Sequence, residues 1–234
     1  EPDEVLRFIR LSWTLDAGPW GVVRLWFPAL DAKIGLVDLI ASGPDAAVLA
    51  PDATPRFALR AATAAAHARV DALYSRLDLS RPDDYARFLT SHAAAYLPLE
   101  QALARAGAGD LIPGWSARRR GPALSADLSA MGVTIPPALA APAFDGAAQV
   151  FGGLYVLEGS RLGGAVLIRS VPPGLPTAFL APEAASSWRG FVAQLDRDLS
   201  TPAALDRATR SALAVFAVFE RCARAVLEPT VCAE

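Results

Sequence analysis

His67 and His92 are the side chains of this sequence that are best suited to bind a metal ion. Each lies on the apolar face of a predicted helix, where a histidine is either a core residue or a ligand. Thr63 and Asp71 stand four residues before and after His67, so the three share one helical face. A metal-bound histidine usually donates its second N–H group to a carboxylate or carbonyl oxygen. Because His92 has no acidic residue four positions away, the pattern favours His67 as the ligand.

Other kinds of reactive site find little support in the sequence. Cys222 and Cys232 have neither zinc-ligand spacing nor a histidine cluster beside them, and two histidines are too few for a zinc or di-iron site. No Ser-His-Asp or Cys-His arrangement is recognisable. A single neutral imidazole can, however, serve as the axial ligand of haem iron. His67 is therefore either a core histidine or a haem ligand.

A glycine-rich stretch, residues 143–170, is the second feature with chemical potential. Its apolar residues recur with a period near 3.6, which predicts a helix, although each interior glycine costs roughly 0.5–1 kcal/mol. Gly159 and Gly163 share one face, where a flat ligand or another helix can approach the bare backbone closely. The segment GSRLGG lacks the spacing of a dinucleotide fingerprint. Glu158 and Arg161 argue against a membrane dimer motif.

The elements that must position these residues are predicted to be helices. Alanine and leucine are abundant, and helices are expected from Arg56, from Pro82, over 183–199 and from Thr201. Pro98 is expected to kink or shorten its helix, and the basic run at 117–120 is expected on the surface. The last helix is expected to turn Leu213 inward. These elements make residues 52–234 one all-α domain, preceded by a segment of unknown role at 1–51.

Composition narrows the range of partners and compartments. The formal net charge of −2 provides no basic footprint for nucleic acid, so none is expected. No uninterrupted apolar run is long enough to span a membrane, so no membrane association is expected either. Two cysteines make no disulfide framework, which favours the reducing cytoplasm.

Two motifs together resemble the haem oxygenases, and most closely the bacterial group encoded beside phytochromes. They are LRAATAAAH at 59–67, followed by Asp71, and YVLEGSRLGG at 155–164. The resemblance covers about residues 56–228. It implies a haem oxygenase-like helical bundle whose distal helix is glycine-rich and kinked. His67 matches the proximal haem ligand, and Asp71 matches the acid that hydrogen-bonds to it.

The same resemblance assigns roles to residues around the haem. Arg60 matches a basic residue that pairs with a haem propionate, and Arg189 falls near those that meet the other propionate. Gly159 and Gly163 match the distal-helix glycines whose backbone lies over the haem. Thr63 and Tyr155 are placed in the same pocket by their positions in the two motifs.

Ser160 stands where mammalian-type enzymes have an aspartate that organises the water chain. The catalytic set implied is therefore Gly159, Ser160 and Gly163.

The reaction implied is the oxidative opening of haem to biliverdin, carbon monoxide and iron. Haem is both cofactor and substrate, O2 is the oxidant, and a ferredoxin or reductase supplies electrons. A phytochrome is implied as the receiver of biliverdin. Two alternatives remain: a haem carrier or sensor with the same pocket, and a helical interaction domain that has lost haem.

Overall fold

A computed structural model of the chain describes residues 54–135, 137–182 and 185–228, with the side chains of 185–187 left aside. The predicted segment at 1–51 and its boundary lie outside these residues. The described part contains eight α-helices and two 3₁₀ turns, Ile168–Ser170 and Ala178–Leu180, and no strand. The helices are α1 Pro55–Tyr74, α2 Pro82–Arg105, α3 Ala108–Leu111, α4 Trp115–Arg118, α5 Gly121–Ala130, α6 Ala147–Leu167, α7 Ala185–Asp198 and α8 Pro202–Leu227. The prediction of an all-α fold is confirmed.

Proline and short polar residues define where the long helices begin. Pro55, Pro82 and Pro202 each occupy the first turn of a helix, where the missing N–H group costs nothing. Thr201 caps α8 by accepting the Ala204 N–H group at 3.2 Å. The residue that precedes α2 is Arg81, with no side-chain cap.

Pro98 does not end α2, which continues to Arg105, so a shortened helix was wrong, while the alternative of a kink at Pro98 stays a prediction. A proline cannot donate to the carbonyl four residues earlier, here that of Ala94. That carbonyl instead accepts the N–H group of Leu139 at 3.4 Å. A partner from another part of the chain thus replaces one helical hydrogen bond.

Helix α8 packs along α1, α2 and α6, so these four helices form the core. The apolar stripes predicted for α1 and α2 are buried. Phe216 and Phe219 of α8 also point inward, but Leu213 is 37% exposed, so its inward assignment was wrong. Among the described residues, no helix is long and apolar enough to cross a membrane.

The first half of α6 uses glycine to bring helices together. A β-carbon at Gly152 would lie 2.1 Å from the Ala208 carbonyl oxygen of α8. One at Gly153 would lie 2.7 Å from the Phe144 ring. Nearby, the Ser211 hydroxyl donates to the Gln149 carbonyl at 2.7 Å. The backbones of α6 and α8 are therefore in direct contact, which positions α6 relative to the core.

Helix α6 continues unbroken through its interior glycines to Leu167 and then tightens into a 3₁₀ turn. The glycines do not interrupt its hydrogen bonding. The kink predicted for this helix stays a prediction.

Candidate functional site

His67 and Asp71 are in contact on α1. The His67 Nδ1 atom lies 2.8 Å from the Asp71 Oδ2 atom, and both side chains are about one-third exposed, at 28% and 36%. Phe216 of α8 meets the imidazole edge-on, with ring centroids 5.6 Å apart. The carboxylate and the phenyl ring together restrict the orientation of the imidazole. This is the arrangement that the i, i+4 spacing predicted.

Arg60, Thr63 and Tyr155 form the next part of the site. Thr63 is buried, and its hydroxyl donates to the Leu59 carbonyl at 2.8 Å. Burial raises the pKa of the Tyr155 phenol above its usual value, while Arg60 and the Thr63 side chain act in the opposite direction. These interactions place the Tyr155 side chain of α6 beside α1, one turn before His67. The two sequence motifs therefore meet in space.

Gly159 and Gly163 of α6 have room beside them. A β-carbon at Gly163 would meet no atom of the described residues within 4 Å. At Gly159 the nearest neighbour would be the Trp188 ring of α7, at 4.0 Å. These glycines are thus unlike Gly152 and Gly153 in the same helix. Among the described residues, the space beside Gly163 is open and that beside Gly159 is bounded by Trp188, which leaves room for a flat ligand to approach the backbone.

Ser160 and Arg189 are both exposed. The Ser160 hydroxyl donates to the Leu157 carbonyl, one turn earlier in α6, at 2.7 Å. Arg189 lies on α7, next to Trp188 in the chain. Helix α7 is tied to the start of α1, because Asp196 accepts the Arg56 N–H group at 2.8 Å.

His92 has a different environment. Its Nδ1 atom donates to the Phe88 carbonyl at 2.9 Å, and the rings of Tyr74, Phe88, Phe179 and Phe219 surround it. Burial lowers its pKa to about 4, so the imidazole is neutral at pH 7. His92 is a core residue.

The expectation that the basic run at 117–120 lies on the surface is confirmed for Arg119, which is exposed, and wrong for Arg118 and Arg120. The Arg118 guanidinium bonds to the buried Glu158 carboxylate at 2.5 Å. Arg120 is itself buried and donates to the carbonyls of Ala178 and Ala181. Arg119 bonds to Glu100 at 3.2 Å. Arg118 and Arg120 are withdrawn from solvent because each has carboxylate or carbonyl acceptors in other elements.

Trp188 and Phe216 are the site residues that the sequence reasoning missed. The sequence predicts Trp188 on the helix at 183–199 and Phe216 on the inward face of the last helix, but it links neither residue to His67 or to the glycines. Trp188 contacts the Tyr155 ring, at a centroid distance of 6.4 Å, and Phe216 contacts His67. The position of Trp188 next to Arg189 was the one available indication. Helical spacing cannot reveal which distant helix a ring will reach.

The arrangement is suited to a flat, metal-containing ligand. One histidine with a carboxylate partner lies on α1, and bare backbone with room beside it lies on α6. Among the described residues, no cluster of three or more His, Cys, Asp or Glu side chains could hold a metal ion. A porphyrin iron needs only one or two axial ligands from the protein.

Comparisons with known proteins identify the family. The chain is 38% identical over 154 residues to a haem oxygenase of Xanthomonas campestris pv. campestris (strain 8004), an alignment that spans 63% of this chain and 93% of that protein. It is 31% identical over 141 residues to the haem oxygenase PigA of Pseudomonas aeruginosa, covering 56% and 71% of the two chains. No protein-family model matches.

The fold agrees with these sequence relatives. A haem oxygenase from Neisseria meningitidis, solved in its NO- and CO-bound forms, superposes with a TM-score of 0.65 at 25% identity. The match covers 77% of this chain and 96% of that one. The chain belongs to the haem oxygenase family.

Proposed function

We propose that this chain opens haem oxidatively to biliverdin, carbon monoxide and iron, and that His67 holds the iron. The main support for this proposal is that α1 offers a metal-binding histidine and α6 offers glycine backbone with room for a ligand. His67 contacts Asp71 on α1, while α6 presents Gly159 and Gly163 with room beside their backbone. When bound, haem supplies both the ring that is cleaved and the iron that activates O2.

His67 provides the proximal contact. Because its Nδ1 atom is turned to Asp71, iron coordination falls to Nε2. The carboxylate selects the tautomer with the proton on Nδ1 and makes Nε2 a better donor. Phe216 limits rotation of the ring. These neighbours therefore orient the imidazole in advance of binding.

On the opposite side of the bound haem, Gly159 and Gly163 would let the backbone of α6 approach the ring while leaving room for O2. A side chain at either position would occupy the volume that O2 needs. Arg60 and Arg189 supply positive charge for the propionates, and Tyr155 and Thr63 line the same pocket. The polar groups at this end would fix the rotation of the ring in its plane.

Ser160 contributes by hydrogen bonding rather than by ionising. Its hydroxyl proton is already donated to the Leu157 carbonyl, so its oxygen is an acceptor for water. We propose that it anchors one ordered water of a proton-delivery network. A serine in this role replaces the aspartate of mammalian-type enzymes, which makes the water network rather than a single acid the proton source.

We also propose a subgroup, an electron donor, a product acceptor, a cellular location and domain limits for this chain. The segment EGS at 158–160 is common to the phytochrome-associated group, which supports placing the chain there. Electrons would come from a ferredoxin or a reductase, O2 would be the oxidant, and biliverdin would pass to a phytochrome. The low cysteine content supports a reducing cytoplasm as the location. Residues 52–234 would form the catalytic domain, with 1–51 as a separate segment.

Replacing His67 with alanine tests the proposal. His67→Ala should lose the ligand field of the histidine-bound ferric haem and should abolish biliverdin formation, because no other described imidazole reaches the site. Added imidazole should restore the absorption spectrum in part. His92→Leu is the matched control, since His92 lies among aromatic rings in the core, and both its haem spectrum and its turnover should resemble those of the parent.

A parental haem spectrum in His67→Ala would remove the assignment of the ligand. Haem binding by the parent without biliverdin formation, under O2 with ascorbate, would instead indicate a carrier or sensor. Family membership does not favour that alternative, nor a helical interaction domain without haem.

A further inference from the structure

Three buried charged side chains form hydrogen bonds beside the part of α6 that contains Gly159 and Gly163. The Glu158 Oε2 atom accepts hydrogen bonds from Arg118 Nη2 at 2.5 Å and from Arg161 Nη1 at 2.8 Å. Arg161 Nη2 also donates to the Arg118 carbonyl at 2.5 Å. These residues, referred to below as the arginine–glutamate clamp, join α6 to α4.

Burying the clamp costs free energy, because three charged groups are removed from water. The side chains of Arg118, Glu158 and Arg161 are only 13%, 5% and 9% exposed. Charged pairs that are removed from water often stabilise a fold no better than apolar residues of similar volume would. What such a group does supply is directionality, because charge-assisted hydrogen bonds between a guanidinium and a carboxylate are short and specific in geometry. The clamp is thus better suited to positioning a helix than to stabilising the core.

The clamp acts on the segment that carries the site glycines. Glu158 immediately precedes Gly159, and Arg161 lies between Gly159 and Gly163. Successive residues of a helix are about 100° apart around its axis, so Gly159 and Gly163 are separated by about 40°. Glu158 and Arg161 lie about 100° and about 160° from Gly159, both in the same direction of rotation. The glycines and the clamp therefore occupy different faces of α6.

Few other contacts hold this part of α6. Gly159 and Gly163 pack against little, the Ser160 hydroxyl bonds within its own helix, and Leu162 is 48% exposed. Gly164, at the far end, approaches Leu180, whose side chain would be 3.4 Å from a β-carbon there. Between Glu158 and Gly164, the clamp is therefore the main polar attachment of the helix to its surroundings among the described residues.

We propose that the arginine–glutamate clamp is a positioning device for the distal backbone. By holding Glu158 and Arg161, it sets the rotation of the second half of α6 about its axis, and with it the depth to which Gly159 and Gly163 reach toward the ring. The inference rests on the proposed haem oxygenase function, because the ring edge presented to the distal backbone determines which bridging carbon is attacked.

A small rotation has a large consequence here. With Cα atoms about 2.3 Å from the axis, a rotation of about 10° moves the glycine backbone by about 0.4 Å. Catalytic geometry generally has to be held to within about 0.5 Å, and a misplacement of about 1 Å can cost about 10²-fold in rate. Loss of the clamp should therefore alter product composition before it abolishes haem binding.

The experiment compares two buried glutamates that are both bound by arginine. Glu158→Gln keeps the shape of the side chain but removes the charge that holds two guanidinium groups. Glu100→Gln is the matched control, because Glu100 accepts from Arg119 and from the N–H groups at the start of α5, and these partners lie outside α6. Arg118→Lys, which keeps the charge but not the planar fork, is a milder second variant.

Two measurements are made on each variant. Amide hydrogen exchange of residues 157–164 is followed in the haem-free protein, so that it does not depend on catalysis. The isomer composition of biliverdin is then measured with the haem-loaded protein. We expect Glu158→Gln to exchange at least about tenfold faster in this segment, with exchange in α8 unchanged, and to give a mixture of isomers. Arg118→Lys should show smaller changes in the same direction.

Glu100→Gln should speed exchange at the start of α5 only and should keep the parental isomer composition. Parental exchange and parental isomers in Glu158→Gln would overturn the inference, as would equal loosening of 157–164 in both glutamate variants. If Glu158→Gln does not fold, Arg118→Lys decides by the same criteria. A parent protein that forms no biliverdin would overturn the proposed function, whereas the exchange result would still show whether the clamp holds the helix.

Discussion

His67 and His92 lie on consecutive helices, and each follows an apolar pattern, yet their surroundings differ in almost every respect. Four aromatic rings enclose His92, its Nδ1 atom donates to a backbone carbonyl, and its pKa falls to about 4. His67 is partly exposed and contacts a carboxylate. The interior region around α2 and α8 contains His92, whereas the site region between α1 and the second half of α6 contains His67.

The glycines of α6 divide between the same two regions. Gly152 touches the backbone of α8, where even a methyl group has no space. Gly163, three turns later, has no neighbour among the described residues where its β-carbon would be. The same residue type thus brings helices together in the interior and keeps space open at the site. Residue type alone does not assign a role, because the neighbouring elements decide it.

The largest expected effect comes from adding one methyl group to the interior glycine. Gly152→Ala would place a β-carbon 2.1 Å from the Ala208 carbonyl oxygen, so α6 and α8 would have to separate. We expect the free energy of unfolding to fall by about 3 kcal/mol, as in overpacked cores. Denaturant unfolding would measure it.

The matched substitution at the site, Gly163→Ala, should leave stability unchanged or raise it by up to about 1 kcal/mol through helix propensity. Equal losses in the two variants would contradict the distinction between packing glycines and site glycines.

A larger side chain at the site should affect chemistry instead of folding. Gly163→Leu keeps a good helix former in α6 but fills the space beside the distal backbone. We expect haem to bind while biliverdin formation slows by about 10²-fold or more, because reacting groups tolerate little displacement. Single-turnover absorption spectra with a fixed electron donor would test this. Parental turnover would mean that Gly163 serves helix packing only.

The interior histidine should make stability depend on pH. The pKa of His92 is about 4 in the folded protein and about 6.5 in the unfolded chain. The contribution of the neutral, buried imidazole to the free energy of unfolding is therefore fully present above pH 6.5. That contribution is lost as the pH falls from about 6.5 toward 4, since the unfolded chain then binds a proton that the folded chain excludes. The expected loss between pH 7 and pH 4.5 is about 2 kcal/mol.

Unfolding free energies of the parent and of His92→Leu across this pH range would isolate that effect. The His92→Leu variant should have the shallower slope. Identical slopes for the parent and His92→Leu would show that the buried imidazole is not responsible.

The smallest effect is expected at Ser160. Ser160→Ala removes an acceptor for one water and leaves the Leu157 carbonyl within its helix. Turnover should slow by about tenfold or less, below the roughly 10²–10⁴-fold typical of a positioned acid or base. The measurement is the rate of biliverdin formation, with haem affinity as the control. Complete loss of turnover at unchanged affinity would make the serine indispensable.

Local features of the fold were accessible from the sequence. Apolar spacing predicted α1, α2, α6 and α8 with much of their buried faces, and the i, i+4 spacing predicted the contact between His67 and Asp71. Expectations failed where a partner came from far along the chain. Leu139 supplies the donor that allows α2 to continue past Pro98, and Glu158 supplies the acceptor that buries Arg118.

The sequence by itself determined the helices, the shared face of Thr63, His67 and Asp71, and the motifs that resemble one family. These depend on interactions within a few residues, which the helical period governs. Only the tertiary structure decided which histidine is enclosed by aromatic rings, which glycines touch another backbone, and that Trp188 and Phe216 reach the site. Those outcomes depend on contacts between residues far apart in the chain, and such contacts are determined by how whole helices pack.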